Sequence, residues 1–276
     1  MSSSSSSSQN TLKVGIVGFG TFGQFLASTM LKQGHTITVT SRTDYSQLCN
    51  QLGIPFFRDA LPFLEADNDV ILICTSIISL SDVLKSLPLH CLTRRTLFVD
   101  VLSVKEHPRN LLLQVLAEEM DVLCTHPMFG PESGKNGWKD LSFMYDKVRV
   151  RDEVTCSSFL SIFESEGCRM MEMSCEEHDK LAAKSQFVTH AIGRILVEIG
   201  IESTSINTKS FETLVKLKEN VSNSSFDLFS GLFIHNRFAK QELMNLEQGF
   251  EMVKQKLLKM NEEQNLSKSN NAMNGY

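Results

Sequence analysis

The feature that most constrains this chain is a glycine-rich turn close to its start. Residues 18–23 read Gly-Phe-Gly-Thr-Phe-Gly, which is the pattern G-x-G-x-x-G. A plain tight turn is the alternative, because 15 glycines in 276 residues produce loose matches by chance. Here, however, the motif follows an apolar strand at residues 14–17, opens an amphipathic helix at 22–33 and precedes a β-branched strand at 36–40. This context predicts a turn that binds the pyrophosphate of a dinucleotide.

The rest of the first half repeats the alternation of buried strands and helices. Strands are predicted at 69–74, 96–101 and 121–125, with a mixed edge at 143–150 and 168–173, and helices around 45–52, 80–87 and 108–116. Such alternation is typical of a parallel sheet covered by helices. We therefore predict an α/β fold with an N-terminal Rossmann-type dinucleotide-binding domain.

After Ser174 the strand signal ends and helical spacing replaces it. Helices are predicted over 175–199, 208–218 and from about 226 to 260, the last with an amphipathic apolar stripe. The predicted domains are therefore a disordered Ser-rich N-terminus at 1–11, the Rossmann domain at 12–173, an all-helical domain at 174–260 and a disordered tail at 261–276.

Charge and cysteine content restrict the ligand and the compartment. Lys plus Arg is 27 against 32 Asp plus Glu, so no basic excess points to nucleic acid or an anionic membrane. No apolar run reaches the about 18 residues that a membrane span needs. The Ser-rich start lacks the arginines of a transit peptide. Seven cysteines without a C-x-x-C pair indicate reduced thiols. We predict a cytoplasmic protein with a small-molecule ligand.

The residues after the second strand bear on the choice of nicotinamide cofactor. An NAD site needs Asp or Glu there, whereas this chain has Ser41-Arg42-Thr43. Arg42 can pair with the 2′-phosphate of NADP, although a solvated arginine is the plain alternative and Asp44 would repel phosphate if it turned inward. The predicted NADP contacts are Gly18, Gly20, Thr21, Phe22, Gly23, Ser41, Arg42, Thr43 and Thr75.

Polar side chains after two further strands form the candidate chemical site. Ser103 follows the strand at 96–101, and His126 follows the strand at 121–125. Reacting groups in an open α/β sheet lie beyond the carboxyl ends of the strands. An imidazole beside a hydroxyl suits abstraction of an alcohol proton while hydride leaves for NADP. Gln186 and His190, at i and i+4 of a predicted helix, can point into the same cleft.

Other kinds of site fit less well. A metal site lacks a third ligand at suitable spacing, so no metal is predicted, and a Ser–His hydrolase would lack the nucleophile-elbow sequence. A non-catalytic NADP-sensing protein and a β-hydroxyacid-type dehydrogenase, with Lys184 as its proton-transfer group, remain open. Structural roles are predicted for the remaining histidines, which are His35, His90, His107, His178 and His235.

Several long segments between Lys13 and about Met260 carry a family resemblance. They include VGIVGFGTFGQF, TSRTDYS, DVLSVKEHPRN, CTHPMFGPESGKNGW and EEHDKLAAKSQFVTHAIGR. These segments resemble the plant-type prephenate/arogenate dehydrogenases of tyrosine biosynthesis, and most of all their cytosolic noncanonical legume-like prephenate dehydrogenases. The resemblance implies an NADP-dependent oxidative decarboxylation, in which hydride leaves C4 of a cyclohexadienol and carbon dioxide leaves C1. It also implies a homodimer built from the helical domain, which is too thin to cover its own apolar stripes.

The resemblance assigns roles to individual residues. It implies that His126 is the polarising histidine, that Ser103 orients it and contacts the C4 hydroxyl, and that Gln186 and His190 line the substrate cleft. Many members hold the ring carboxylate with an arginine. Here Lys216 stands at the nearest matching place, with Arg237 as a second candidate and a solvated lysine as the plain alternative.

Ser224 bears on the choice of substrate. Arogenate-specific relatives resemble this chain around 219–226 but carry an aspartate at position 224. A carboxylate there would stabilise the bound ammonium of the substrate by about 1.5–3 kcal/mol. Ser224 cannot supply that charge, so we predict prephenate as the substrate and 4-hydroxyphenylpyruvate as the product. Arogenate is the alternative, because Asn223 could align there after a one-residue shift, and Glu219 or Asp227 could reach the amine.

Overall fold

The computed structural model describes residues 11–273, with side chains described to residue 266. Except for residue 11, the predicted disordered N-terminus lies outside the described residues. The strands are β1 (Lys13–Val17), β2 (Thr36–Thr40), β3 (Phe56–Phe57), β4 (Val70–Ile73), β5 (Leu97–Asp100), β6 (Asp121–Pro127), β7 (Ser142–Arg149) and β8 (Arg169–Glu172).

The helices alternate with these strands and then follow them. They are α1 (Thr21–Lys32), α2 (Ser46–Leu52), α3 (Ala60–Leu64), α4 (Leu80–Ser86), α5 (Glu106–Val115), α6 (Pro131–Gly134), α7 (Glu153–Ser165), α8 (Cys175–Ala182), α9 (Val188–Glu198), α10 (Lys209–Ser222), α11 (Phe226–Ile234) and α12 (Ala239–Met273). A 3-10 turn lies at Leu89–Cys91, and a π-helical segment at Ala183–Phe187 joins α8 to α9. Among the described residues, no helix is both long enough and apolar enough to span a membrane.

The described strands form one sheet in the order β3-β2-β1-β4-β5-β6-β7-β8. Strands β1 to β6 pair in parallel, β7 runs antiparallel to β6, and β8 is parallel to β7. All four residues of β4 and of β5 are buried, as expected for strands covered on both faces. The order reverses direction at β1 and β4, and ligands of open α/β sheets bind outside such a switch point. The predicted Rossmann-type domain is confirmed.

The chain divides into two compact units whose boundary differs from the one we predicted. The first unit holds the described residues up to 182 together with 225–236, and the second holds 183–224 and the chain from 237 onward. Helix α8 belongs to the first unit because Cys175 N donates to Asp146 Oδ2 at 2.7 Å, and Lys105 N to Asp179 Oδ1 at 2.7 Å. Helix α11 returns to the first unit, where a Cβ on Gly231 would lie 2.8 Å from Ile77 Cβ.

The helical region differs from the sequence prediction in three places. The helix predicted from 226 to 260 is broken between Ile234 and Ala239. The helix predicted over 175–199 contains the π-helical segment. Helix α12 continues to Met273, where we predicted a disordered tail from 261. Residues 274–276 of that predicted tail lie outside the described residues.

Candidate active site

The glycine-rich turn has the backbone geometry that a dinucleotide needs. Gly18 has φ +93°, and a Cβ on it would lie 2.8 Å from the carbonyl oxygen of Cys74. Gly23 sits in α1, where a Cβ would lie 2.6 Å from the carbonyl oxygen of Gly18. A Cβ on Gly20 would meet open space, immediately before the N-terminus of α1. Backbone amides and the helix dipole can therefore approach a pyrophosphate there.

A cavity of about 560 Å³ opens beside this turn. Six of the predicted cofactor residues line this cavity, namely Gly18, Gly20, Ser41, Arg42, Thr43 and Thr75. The other three, Thr21, Phe22 and Gly23, lie in the first turn of α1. Thr75 Oγ1 is buried and has no hydrogen-bond partner among the described residues, so it can serve a ligand. These residues fit a bound dinucleotide.

Arg58 lines the same cavity and was missed by the sequence analysis. It directly follows β3, which pairs with the end of β2, and its Nη1 donates to the carbonyl oxygen of Arg42. The two-residue strand gave no periodicity to reveal it. Asp44 does not line the cavity: its Oδ1 accepts a hydrogen bond from Ser46 N at 2.8 Å, and that bond lowers the pKa of Asp44. Two arginines thus flank this end of the cavity.

His126 lies in β6 and is 3% exposed. Its Nδ1 is 2.8 Å from Nε2 of His178, and His178 Nδ1 is 2.9 Å from Asp179 Oδ1. Burial lowers the pKa of His126 well below its ordinary value, with further lowering by His178 and Lys105. The imidazole is therefore neutral at pH 7, the state that a proton acceptor requires. The sequence predicts only a structural role for His178 and does not indicate this contact.

Ser103 lies in the loop after β5 and is half-buried. Within the described part of the chain, no hydrogen bond joins its hydroxyl to His126. The Nδ1 side of His126 is taken by His178 instead. The predicted role of Ser103 toward His126 and the C4 hydroxyl stays a prediction.

The predicted substrate residues of the second unit lie in the π-helical segment, in α9 and α10, and in the short segments that follow α10 and precede α12. Gln186 lies in the π-helical segment and His190 in α9, and both are half-buried. Gln186 Oε1 and His190 Nδ1 are buried without hydrogen-bond partners among the described residues. π-Helical turns are frequent at functional sites. Lys216 in α10 is exposed, and the exposed Arg237 lies over the ring of Phe238.

Ser224 is held by main-chain hydrogen bonds at the end of α10. Its Oγ donates to the carbonyl oxygen of Val221 at 2.8 Å, and its own carbonyl oxygen accepts from Arg194 Nη2 at 2.7 Å. Arg194 was missed by the sequence analysis, although it lies four residues after His190 in α9. In the described residues, no group of three or more His, Cys, Asp or Glu side chains is arranged to hold a metal.

Comparisons with known proteins agree with the fold and with these motifs. A family model described as "Prephenate dehydrogenase, nucleotide-binding domain" matches residues 26–150, and one described as "TYRAAT1-like, C-terminal domain" matches 195–270. A solved structure of prephenate dehydrogenase from A. aeolicus, in complex with hydroxyphenyl propionate and NAD+, superposes with a TM-score of 0.73 at 18% identity. It covers 92% of this chain and 93% of that one, and it supports the fold.

Two relatives from Arabidopsis thaliana are far more similar in sequence. Arogenate dehydrogenase 1, chloroplastic, is 56% identical over 250 residues, which is 89% of this chain and 39% of that protein. Arogenate dehydrogenase 2, chloroplastic, is 53% identical over 252 residues, which is 90% of this chain and 70% of that protein. This chain thus spans well under half the length of the first relative. The matched nucleotide-binding domain indicates a nicotinamide dinucleotide cofactor. With identity above one half over nine-tenths of its length, the chain belongs to the plant-type prephenate/arogenate dehydrogenase family.

Proposed function

We propose that the protein catalyses the NADP-dependent oxidative decarboxylation of arogenate to tyrosine. The supporting observation is the identity with two proteins named arogenate dehydrogenase, which favours this alternative over the prephenate prediction. In the overall reaction the C4–H bond breaks with transfer of hydride, and the C1–carboxylate bond breaks with release of carbon dioxide. The electron pair of that bond completes the aromatic ring.

His126 is the proposed proton acceptor for the C4 hydroxyl. It is buried and neutral, and β6 is a rigid support for it. As hydride departs, Nε2 takes the hydroxyl proton and later returns it to the phenol oxygen. Ser103, Gln186 and His190 are proposed to bind substrate, with Lys216 or Arg237 as candidates for the ring carboxylate.

The cofactor proposed for this chemistry is NADP, which accepts the hydride when bound. Arg42 and Arg58 line one cavity with Ser41 and Thr43, and guanidinium groups are well suited to the 2′-phosphate. No carboxylate of β2 or its following turn lines the cavity among the described residues, since Asp44 is bound to Ser46. The turn after β2 therefore offers no carboxylate to the ribose 2′-hydroxyl of NAD, whereas Asp82, which also lines the cavity, lies in α4.

Prephenate is a second candidate substrate because of Ser224. The residue carries no charge for an ammonium, and its hydroxyl already donates to Val221. Arogenate and prephenate differ in the side chain by an ammonium against a ketone. Without a carboxylate at this position, residue 224 does not favour the ammonium of arogenate over the ketone of prephenate.

Steady-state kinetics separate the two substrates. Wild-type enzyme is assayed with arogenate and with prephenate, each with NADP and NAD. We expect wild type to show a higher kcat/KM for arogenate than for prephenate, with NADP as the cofactor. In Ser224→Asp the ratio of the two kcat/KM values should rise by about 10- to 150-fold, because a charge-assisted contact with the ammonium adds about 1.5–3 kcal/mol. Ser224→Asn is the matched control, because asparagine resembles aspartate in size but carries no charge. Arg194 bonds to the main-chain carbonyl of residue 224, so neither substitution removes that acceptor. Higher wild-type kcat/KM for prephenate overturns the arogenate assignment and supports the second candidate.

A further inference from the structure

Three buried side chains form a continuous hydrogen-bond chain that ends on His126. Asp179 Oδ1, His178 and His126 are joined by contacts of 2.9 and 2.8 Å. Their exposed fractions are 0%, 3% and 3%. All three lie in the first unit, on α8 and β6. A buried polar chain of this kind has few alternative partners, so the protonation state of one member fixes that of the next.

Asp179 is held by the backbone at the start of α5. Its Oδ1 accepts from Lys105 N at 2.7 Å, and its Oδ2 accepts from Glu106 N at 2.9 Å. Its own carbonyl oxygen accepts from Asn236 Nδ2 at 2.8 Å. The carboxylate offers acceptors only, so the nitrogen of His178 that faces it must carry a proton. That nitrogen is Nδ1.

The proton on His178 Nδ1 determines the tautomer of His126. A neutral imidazole carries one proton, so His178 Nε2 is a lone-pair acceptor. His126 Nδ1, 2.8 Å away, must then be the donor. This leaves His126 Nε2 without a proton. Among the described residues, no side chain or main-chain group forms a hydrogen bond with His126 Nε2.

We propose that His178 and Asp179 are positioning residues, which fix the ring of His126 and keep its Nε2 unprotonated to receive the hydroxyl proton of the substrate. This inference rests on the proposed function, in which His126 is the proton acceptor. Had Nε2 carried the proton instead, His126 would be a donor toward the hydroxyl and would accept nothing from it.

The charges around the chain are consistent with neutral imidazoles. Burial lowers the pKa of His178, with Lys105 adding to that effect and Asp179 and Asp100 opposing it. His126 faces the same cation. A protonated His178 would donate from both nitrogens and force His126 Nδ1 to accept. Keeping His178 neutral therefore keeps the useful tautomer of His126.

The tautomer can be measured without turnover. Long-range ¹H–¹⁵N spectra of the full chain at pH 8 distinguish protonated from bare imidazole nitrogens, and the signals of His126 are assigned by their loss in His126→Ala. We expect His126 with a proton on Nδ1 and a bare Nε2 in wild type, and a shift toward the Nε2-protonated form in His178→Leu. Wild-type His126 with its proton on Nε2 overturns the proposal.

Kinetics of matched variants test the consequence. His178→Leu removes the acceptor, whereas the Oε1 of Gln in His178→Gln can occupy the place of Nε2. We expect His178→Leu to lower kcat by about 10²-fold with KM for NADP unchanged, since small misplacement of a catalytic group costs about that much. His178→Gln should recover at least tenfold over His178→Leu. His90 is exposed and lies outside the hydrogen-bond chain, so His90→Leu is the control for the loss of a histidine.

The outcomes separate this inference from the proposed function. NADP binding and thermal unfolding are measured for each variant, so that a misfolded His178→Leu is recognised. In that event, the kinetics of His178→Gln and the wild-type spectra test the positioning role. Equal kcat in wild type and a folded His178→Leu overturns the positioning role. Wild type that turns over neither arogenate nor prephenate overturns the proposed function, while the tautomer of His126 still tests the hydrogen-bond chain.

Discussion

Lys105 and Asp100 form an ion pair in which neither side chain has any exposed surface. Lys105 Nζ also donates to the carbonyl oxygen of Thr125, the residue before His126. The pair therefore connects the ends of β5 and β6 directly behind the proposed proton acceptor. Burial raises the pKa of Asp100, and the charge of Lys105 opposes that rise. The sequence identified the strand ends but not this pair, because a lysine in a loop is ordinarily solvated.

Lys105→Met should destabilise the fold in a pH-dependent way. Removing one partner of a buried pair costs about 3–5 kcal/mol when the other stays charged. Without the cation, the pKa of Asp100 in the folded state rises further above its unfolded value. Its contribution to stability is then present at low pH and lost as pH rises toward the folded pKa. Urea unfolding should therefore give a smaller free energy of unfolding at pH 8 than at pH 5.

The double variant Lys105→Met/Asp100→Asn is the control for that measurement. It carries no ionisable group at the pair, so the added pH dependence of Lys105→Met should disappear. If the single and double variants respond alike to pH, Asp100 is not the group responsible. Wild type provides the reference for titration elsewhere in the chain.

Arg42 and Arg58 carry the proposed preference for NADP. A charge-assisted hydrogen bond contributes about 1.5–3 kcal/mol, so Arg42→Ala and Arg58→Ala should each raise KM for NADP by about 10- to 150-fold. NAD lacks the 2′-phosphate and serves as the internal control, with KM changed little. Measured kcat/KM for both cofactors decides the matter. An unchanged NADP/NAD ratio in both variants contradicts the assignment of these arginines to the phosphate.

At the scale of elements, the predictable parts were those with a strong periodicity. Strands such as β4 and β5 are buried along their whole length, so their apolar runs identified them. The two-residue β3 carried no such signal, and Arg58 at its end was missed with it. The π-helical segment was equally hidden, because one wider turn hardly alters a 3.6-residue pattern over a long helix.

The site shows the same division between local and long-range information. The positions of Ser103 and His126 near the carboxyl ends of β5 and β6 could be predicted from the strand pattern, whereas their roles stay predictions. His178 could not, since its contact with His126 joins residues 52 positions apart and depends on how α8 packs. The adjacent pair His178-Asp179 was the available signal. A histidine next to a carboxylate in an amphipathic helix is nevertheless most often structural.

At the scale of the whole molecule, the apolar face of α12 supports a homodimer. Phe250 is 71% and Leu257 63% exposed, and both lie on the stripe predicted to be apolar. A second copy is the proposed partner, so a mass measurement in dilute solution should give about twice 31.0 kDa. Phe250→Glu/Leu257→Glu should shift the mass to the monomer, because buried charges without partners oppose association. Gln248→Glu, on the same helix and exposed, adds a charge outside the stripe and should remain dimeric. A monomeric wild type would exclude the dimer. A double variant that stays dimeric would place the interface on another surface.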